Sequence, residues 1–214
     1  MEIELKYLIN DEAKADELWK ELKDHPGRVT GSAEEKLMHA VYFDAADERL
    51  SKEKIAVRVR REGDELVATC KWGGNQRQAL NGGEAVHVRP ELNVPVKDDS
   101  WFVAPPSDLF GDSEIGERIV SLLGEEPLIP LLKTKFMRRL IQIQFGDMIC
   151  EAAVDTGEIK AGDRSEPICE LELELLQGDG EQLILLGEEF KARYGLVAGQ
   201  KSKFARGKAL RVEK

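Results

Sequence analysis

The stretch that decides the fold is MEIELKYLIN, residues 1–10, in which charged and apolar side chains alternate. Glu2, Glu4 and Lys6 share one side of the two-residue period, and apolar residues occupy the other. Successive side chains of a strand point to opposite faces, so this pattern predicts a β-strand. Its charged face is either the wet side of a sheet or part of a site, and the other strands of the chain distinguish the two.

Composition indicates a globular protein of ordinary size. The chain has 214 residues, 42% hydrophobic and 34% charged, enough to bury a core in what we expect to be one domain over residues 1–214. No stretch reaches the roughly 18 apolar residues of a membrane span, and the N-terminus lacks the basic and apolar regions of a secretory signal. Three widely spaced cysteines, Cys70, Cys150 and Cys169, favour a reducing compartment over a disulfide framework. We therefore expect a cytoplasmic protein that is not attached to a membrane.

The chain is acidic, with a formal net charge of -10 at pH 7. Proteins that bind nucleic acid generally carry a basic surface, so a general nucleic-acid binder is not expected. Net charge governs solubility and steering, whereas a site depends on where individual charges lie. A small anionic ligand held by a local basic cluster therefore remains compatible with this composition.

Strand patterns recur along the chain and are separated by turns of hairpin length. They give about eight strands against three or four helices, with the helices segregated from the strands. Helical patterns lie within residues 11–27, 112–124 and 181–196, and a short helix is expected in the tail at 200–212. Eight antiparallel strands can close into a barrel. The sequence therefore predicts an α+β fold, an eight-stranded antiparallel β-barrel that forms a tunnel, with amphipathic helices covering its outer face.

The charged faces of these strands are sorted by sign, since the first and last strands are acidic and those between them are basic. The acidic positions are Glu2, Glu4, Glu170, Glu172 and Glu174, and the basic ones are Arg58, Arg60, Lys71, Arg89, Lys133 and Lys135. A single strand of this kind is most often half-exposed, with its charges in water. As a set, however, the faces are almost purely ionic, and like charges two residues apart repel unless opposite charge lies between the strands. We therefore expect the charges to line the lumen.

A barrel that closes around these charges would contain the parts of a polyphosphate site. Arginine forks match phosphate oxygens, so the basic set suits a polyphosphate. Carboxylates are hard oxygen ligands that suit Mg²⁺ or Mn²⁺, and two of them at i and i+2 lie about 6.5–7 Å apart on a strand face. A metal and an anion together would also offset the cost of enclosing acidic and basic groups in one lumen.

Motifs for several other chemistries are missing from the sequence. Neither GxxxxGK[ST] nor GxGxxG occurs, which disfavours a P-loop or a dinucleotide-binding fold. There is no GxSxG elbow, and the three histidines show no metal-ligand spacing. No aromatic or amide cluster marks an adenosine pocket. We therefore expect a reaction that needs no protein nucleophile.

An ordered series of motifs resembles the CYTH superfamily, also called the triphosphate tunnel metalloenzymes. The signature ExExK is present at residues 2–6 as EIELK. It is followed by VYFDAADERL (41–50), AVRVRREG (56–63), TCKW (69–72), LLKTKF (131–136), EAAVDTGEIKAG (151–162), CELELELLQG (169–178) and KSKFARG (201–207). ExExK alone is a weak motif, whereas the ordered series is specific and covers essentially the whole chain.

The resemblance implies a tunnel that binds a triphosphate together with a divalent metal, Mg²⁺ or Mn²⁺. The positions that match metal-binding carboxylates are Glu2, Glu4, Glu170 and Glu172. The positions that match triphosphate-holding residues are Arg58, Arg60, Lys71, Arg89, Lys133, Lys135, Lys203 and Arg206. Lys6 and Asp155 match positions that orient the attacking water or a phosphate, which makes them the catalytic candidates.

Two features leave local alternatives open. Parity with Lys135 points to Arg139 as the inward-facing member of two adjacent arginines, whereas the family pattern points to Arg138. Relatives often carry a second acid two residues beyond the one that matches Glu91, and here that position is Asn93. The amide weakens the case for a metal or a lysine partner at that position.

The family acts on several substrates, namely inorganic triphosphate, thiamine triphosphate, RNA 5′-triphosphate, and ATP for cyclisation. The strand CELELELLQG with the terminal KSKFARG resembles the bacterial inorganic triphosphatase branch, which implies hydrolysis of inorganic triphosphate to diphosphate and phosphate. An adenylate cyclase or a thiamine triphosphatase on the same fold is the alternative, and a polyphosphate-binding module is the non-enzymatic one. The partner we expect is a small-molecule triphosphate, and a homodimer is compatible with the pattern.

Overall fold

The computed structural model of the protein describes residues 2–73, 76–79 and 85–212, without the side chains of 76–79, 85, 86 and 212. The strands are β1 (Glu2–Leu8), β2 (Glu34–Asp44), β3 (Ala56–Glu62), β4 (Glu65–Lys71), β5 (Gln76–Ala79), β6 (Ala85–Arg89), β7 (Glu91–Val96), β8 (Ile129–Phe145), β9 (Met148–Ala161), β10 (Arg164–Gln177) and β11 (Val197–Ala198). The helices are α1 (Glu12–Asp24), α2 (Arg49–Lys52), α3 (Glu114–Leu123), α4 (Gly180–Tyr194) and α5 (Lys203–Val212), with a 3₁₀ turn at Asp99–Phe102. No helix within the described ranges is long and apolar enough to cross a membrane.

The described strands form one antiparallel sheet that curls into a nearly closed barrel. Its order is β5-β6-β1-β10-β9-β8-β2-β3-β4-β7, and β11 pairs with β1. Only Pro90 separates β6, which pairs with β1, from β7, which pairs with β4. Proline has no N–H to donate to a ladder, so the strand breaks there and its two halves join opposite edges of the sheet. Counted as one interrupted strand, β6 and β7 make eight long strands together with β1–β4 and β8–β10, and the short strands β5 and β11 are additional. The predicted α+β fold with an antiparallel barrel is confirmed.

Helices α1 and α4 cover the outer face of β1, β9 and β10. Leu5 and Tyr7 of the opening strand are 1% and 0% exposed there, among leucines of both helices. Burial of an apolar side chain of this size contributes roughly 1.5–3 kcal/mol, which fixes the orientation of the strand. The apolar side of MEIELKYLIN therefore faces outward beneath helices, as predicted, and its charged side faces the lumen.

A second apolar layer covers the opposite side of the barrel. It joins the outer faces of β2, β3 and β4 to α2 and α3, and contains Val57, Val59, Ile119 and Leu123. Helix α3 begins at the N-cap Ser113, whose hydroxyl accepts a hydrogen bond from the Gly116 N–H, a capping pattern that the sequence contains. These two layers hold the barrel from outside and leave its interior to charged residues.

Helix α5 lies against the inner side of β8, β9 and β10. Its Gly207 packs on Leu132 and Ile159, and the Phe204 ring stacks on Tyr42 at 5.2 Å between centroids. Met38, Phe136 and Ile168 belong to the same apolar cluster. One end of the lumen is therefore filled by this helix and by apolar side chains.

We expect Gly187→Ala in α4 to lower the free energy of unfolding by about 1–2 kcal/mol. An added Cβ would lie 2.4 Å from Tyr7 Oη and 2.7 Å from Leu5 Cδ1. The gain in helix propensity is roughly 0.5–1 kcal/mol, less than the roughly 1–3 kcal/mol cost of overpacking. Urea denaturation measures the change. Leu185→Ala on the same helix, 60% exposed, is the control and should change it by less than about 0.5 kcal/mol; an unchanged midpoint for Gly187→Ala would contradict this packing.

Candidate functional site

A cavity of about 660 Å³, including the part open to solvent, lies inside the barrel. Its charged lining comes from six strands and from α5. The acidic residues are Glu2, Glu4, Glu172 and Glu174, and the basic residues are Lys6, Arg58, Arg60, Lys71, Arg89, Arg138 and Lys203. Tyr42, Phe136 and Phe204 line it as well. The cavity therefore combines an acidic wall, a basic wall and an aromatic end.

The acidic wall is built by the pairing of β1 with β10. Glu4 lies opposite Glu174, and Lys6 lies opposite Glu172, in an antiparallel ladder. Directly opposed residues have Cβ atoms about 4.5–5.5 Å apart. The two like charges of Glu4 and Glu174 therefore destabilise the sheet unless a cation lies between them, whereas Glu172 has a cation directly opposite. Lys6 supplies that cation for Glu172, with Nζ 2.6 Å from Oε1.

Glu174 has no such partner within the described part of the chain, where no hydrogen bond or salt bridge reaches its carboxylate. Burial, followed by the nearby charges of Glu2 and Glu151, raises the pKa of Glu174 to about 7. Burial also raises the pKa of Glu2. These carboxylates concentrate negative charge in one corner of the cavity, and a divalent cation bound there would stabilise them. Their oxygens are the ligands that Mg²⁺ and Mn²⁺ prefer.

The basic wall is formed by β3, β4 and β6, and it adjoins the acidic wall where β6 pairs with β1. The Nε atoms of Arg58 and Arg89 are buried, with no hydrogen-bond partner in the described residues. Burial, followed by the charge of Arg58, lowers the pKa of Arg60 to about 10. Crowded guanidinium groups with unused donors are the arrangement that a multiply charged anion stabilises.

A second ionic network lies behind the cavity, next to α5. Arg138 donates to both oxygens of Asp155, at 2.8 and 2.7 Å, and to Glu172 Oε2 at 2.5 Å. Lys203 Nζ lies 2.7 Å from Asp155 Oδ2 and 2.9 Å from Glu172 Oε1. Burial raises the pKa of Asp155, but the charges of Arg138 and Lys203 outweigh it and the pKa is lowered. The Asp155 carboxylate is thus ionised and fully engaged.

Asp155, Glu170 and Glu172 also form a compact group, with carboxylate oxygens within 4.8 Å of one another. Such a group could hold a metal, but here the Lys203 ammonium contacts all three carboxylates. Arg206 Nη1 also lies 3.0 Å from Glu170 Oε2. The protein's own cations therefore neutralise this group, which anchors α5, and within the described residues Glu170 Oε1 is its one buried oxygen without a hydrogen bond. Because Glu174 has no salt bridge in the described chain, Glu2, Glu4 and Glu174 are the better candidates for a metal.

The structure brings most of the predicted site residues together. Nine of them line the cavity: Glu2, Glu4, Lys6, Arg58, Arg60, Lys71, Arg89, Glu172 and Lys203. Three others lie behind it. Asp155 and Glu170 are fully buried in the network at α5, and Arg206 donates from α5 to Glu166 at 2.6 Å.

The predicted inward orientation of Lys133 and Lys135 is wrong. Both side chains are exposed and point away from the cavity. The inward positions of this half of β8 are Leu132, Thr134 and Phe136, because the apolar packing of α5 occupies the lumen there. With a two-residue period, the lysines must then face outward.

Two cavity residues were not assigned from the sequence. Glu174 was recognised on the acidic face but left out of the metal set, and Arg138 was undecided against Arg139. Arg138 faces inward, as the family pattern predicted, whereas Arg139 faces outward and donates to Asp16 of α1 at 2.6 Å. The parity argument failed because it took Lys135 as its inward reference.

Comparisons with known proteins agree with this geometry. A model of the CYTH domain family matches residues 1–207. A curated relative, an inorganic triphosphatase from Haemophilus influenzae, is 30% identical over 167 residues, which cover 78% of this chain and 44% of the relative. The chain therefore spans less than half the length of that relative.

Two solved structures share the fold. A putative adenylyl cyclase from Hippeastrum, described as having a dominant triphosphatase activity, gives a TM-score of 0.71 at 22% identity and covers 98% of this chain and 96% of that one. A putative adenylate cyclase from Bacillus halodurans gives a TM-score of 0.59 at 18% identity, over 100% of this chain and 98% of that one. At these identities the similarity establishes the architecture alone.

Proposed function

The chain belongs to the CYTH domain family, and from this premise we propose that it is a divalent-metal-dependent triphosphatase that splits inorganic triphosphate into diphosphate and phosphate. One observation carries the proposal. A single cavity holds the Glu174 carboxylate, which forms no salt bridge within the described residues, together with Arg58 and Arg89, whose buried Nε atoms have no hydrogen-bond partner there. The similarity to an inorganic triphosphatase supports this choice of substrate.

In this proposal Glu2, Glu4 and Glu174 would hold the metal, Mg²⁺ or Mn²⁺. Glu174 takes the place of both Glu170 and Glu172 in the predicted set. Lys203 and Arg206 pair with the Glu170 carboxylate, and Lys6, Arg138 and Lys203 pair with Glu172. A bound metal would supply positive charge against the charge that develops during phosphoryl transfer. Glu172 borders this corner, and its salt bridge to Lys6 fixes the edge of the acidic wall.

The basic residues would bind and orient the triphosphate. Arg58, Arg60 and Arg89 would donate to phosphate oxygens, which positions the terminal phosphorus for in-line attack by water. The new P–O bond forms as the bridging P–O bond breaks, and both protons of the water end on the two products. Burial lowers the pKa of Lys6, but Glu172 and Glu4 outweigh it and hold the pKa well above its usual range. Lys6 therefore stays an ammonium that stabilises negative charge and does not act as a base.

The aromatic end of the cavity bears on the alternative substrates. The sequence did not reveal this cluster, since Tyr42, Phe136 and Phe204 are far apart along the chain. Tyr42 and Phe204 stack on each other, and the cations of Arg138 and Lys203 lie 5.7 and 4.9 Å from the Phe136 ring centroid. Each of these rings therefore already has a neighbour on at least one face, which leaves less aromatic surface for a base or a thiamine ring and favours inorganic triphosphate over ATP or thiamine triphosphate.

A phosphate-release screen tests the proposal. Inorganic triphosphate, thiamine triphosphate, ATP and long polyphosphate are each supplied with Mg²⁺ or Mn²⁺, and the ATP reaction is also assayed for cyclic AMP. We expect the highest kcat/KM for inorganic triphosphate and no activity in excess EDTA. Cyclic AMP as the main product would favour a cyclase, and tight polyphosphate binding by calorimetry without turnover would favour a binding module.

The outward lysines provide a further prediction. We expect Lys133→Ala and Lys135→Ala to leave the KM for inorganic triphosphate within about twofold of the wild-type value, because both side chains lie outside the cavity. Arg89→Ala, which removes a half-buried cation of the cavity lining, should raise the same KM by roughly tenfold or more. Steady-state kinetics on the three variants distinguish these outcomes, and a large KM effect from either lysine would contradict the cavity as described.

A cytoplasmic location also belongs to the proposal. All three cysteines are free thiols, and Cys70 and Cys150 are buried. Free thiols are typical of reducing compartments. Cell fractionation followed by detection of the native protein would test this, and recovery in a membrane or secreted fraction would contradict it.

A further inference from the structure

Asn93 of β7 is exposed and lies opposite Thr69 of β4, the strand that carries Lys71 of the basic wall. We propose that Asn93 is a positioning residue: its amide holds Glu91 against Lys71 and thereby keeps the Lys71 ammonium directed into the cavity. The inference rests on the proposed function, because it assigns Lys71 a phosphate as its ligand.

The pairing of β4 with β7 brings the four residues together. Thr69 lies opposite Asn93, and Lys71 lies opposite Glu91. The Thr69 hydroxyl donates to Asn93 Oδ1 at 2.7 Å, and Asn93 Nδ2 donates to Glu91 Oε1 at 2.8 Å. Lys71 Nζ then lies 3.0 Å from Glu91 Oε2. One continuous chain of contacts therefore runs from buried Thr69 to the lysine.

The chemistry of the groups fixes the orientation of the amide. An ionised carboxylate only accepts hydrogen bonds, so the NH₂ side of Asn93 must face Glu91. The carbonyl oxygen then faces Thr69, which is 1% exposed and uses its hydroxyl as the donor. Each side of the amide is thus matched, and each oxygen of Glu91 has a different partner.

Lys71 is shared between two carboxylates with different tasks. Its Nζ lies 2.5 Å from Glu2 Oε2 and 3.0 Å from Glu91 Oε2. Under the proposed function Glu2 binds the metal. Of the two carboxylates in the described chain that form a salt bridge with Lys71, Glu91 then remains as its partner. Glu91 can keep the ammonium in place only if its own carboxylate is held, and Asn93 holds it.

An acid at this position would act against the same arrangement. A second carboxylate would lie about as close to Glu91 as the amide does now, and two carboxylates at that distance do not both ionise without cost. It would also add negative charge beside a site for a highly anionic substrate. The amide supplies a donor without a charge, which explains why asparagine suits this position next to Glu91.

Steady-state kinetics with inorganic triphosphate and Mg²⁺ on Asn93→Asp and Asn93→Ala test the proposal. We expect KM to rise about tenfold for Asn93→Asp and about threefold for Asn93→Ala, since the first adds a charge and both remove the donor. We expect kcat to stay within about twofold, because the lysine contributes to binding in the ground state and the transition state alike. Asn10→Asp, the same substitution at an exposed loop position, is the matched control and should leave KM unchanged.

A double-mutant cycle shows whether Asn93 acts through Lys71. In a Lys71→Gln background, the uncharged substitution Asn93→Ala should have no further effect on KM, or on the Kd for inorganic triphosphate by calorimetry if turnover is too slow. The inference is overturned by an unchanged KM in both Asn93 variants, by a full effect that persists in the Lys71→Gln background, or by a loss of kcat at constant KM. If the wild-type protein neither hydrolyses nor binds inorganic triphosphate, the proposed function fails first and this inference fails with it.

Discussion

Glu4→Gln is expected to lower kcat/KM for inorganic triphosphate by about 100- to 1,000-fold, the range found when one preorganised charge-stabilising group is removed from an active site. Glu4 lies opposite Glu174 on the acidic wall, and Lys6 Nζ lies 3.7 Å from Glu4 Oε1. An amide has the shape of the carboxylate but lacks its charge, so the variant tests cation binding with little change in packing.

Metal titrations of the same variant separate binding from folding. Higher concentrations of Mn²⁺ should recover part of the activity of Glu4→Gln, and its melting temperature should stay close to that of the wild-type protein. The matched control is Glu158→Gln, an exposed position on β9 opposite Lys135, which should leave kcat/KM within about twofold. Wild-type activity in Glu4→Gln would rule out the acidic wall as the metal site.

Asp155→Asn is expected to destabilise the fold by about 3–5 kcal/mol, because removing one partner of a buried ion pair leaves uncompensated charge. Asp155 is 0% exposed and binds both Arg138 and Lys203. For a chain of this size each kcal/mol shifts the melting temperature by about 2–4 °C, so we expect a fall of roughly 10 °C.

Calorimetry on three further variants checks the cause of this destabilisation. In an Arg138→Met background, Asp155→Asn should cost clearly less than it does alone, since one of the two stranded cations is gone. Asp16→Asn, which removes the partner of Arg139 at a carboxylate 62% exposed, should cost less than about 1 kcal/mol. Equal losses for Asp155→Asn and Asp16→Asn would mean that the network behind the cavity contributes little.

The orientation of the first strand could be predicted from the sequence. A period of two assigns Glu2, Glu4 and Lys6 to one face. Other strands carry charges of the opposite sign, and attraction between these faces favours an inward orientation. The structure bears this out, with Leu5 and Tyr7 buried beneath helices. Alternation alone could not have decided it, because an ordinary half-exposed strand has the same pattern.

The choice among the acids of β10 required the register of the sheet. Glu170, Glu172 and Glu174 share one face of the strand, so the alternation alone does not show which of them lines the cavity. Pairing with β1 sets Glu174 opposite Glu4 in the cavity and Glu170 opposite Leu8, close to α5. Register depends on long-range pairing that a local pattern does not contain.

The lysines of β8 show why the other part of the prediction failed. The lysines at 133 and 135 resemble a lumen-facing basic pair, but the inward positions there pack against Phe204 and Leu210 of α5. That helix begins 58 positions after the end of β8, and nothing in the strand itself indicates that the lumen is filled at that level. The segregation of acidic and basic residues on different strands predicted where the site lies. How far the site extends along β8 depends on the position of α5, which the strand pattern does not contain.

The most direct test of the two-walled cavity is a crystal structure with Mn²⁺ and inorganic triphosphate, collected at a wavelength where manganese scatters anomalously. We predict an anomalous peak within bonding distance of Glu4 and Glu174, with the triphosphate oxygens on Arg58 and Arg89. A peak at Asp155, Glu170 and Glu172 instead, with Lys203 displaced, would contradict the assignment.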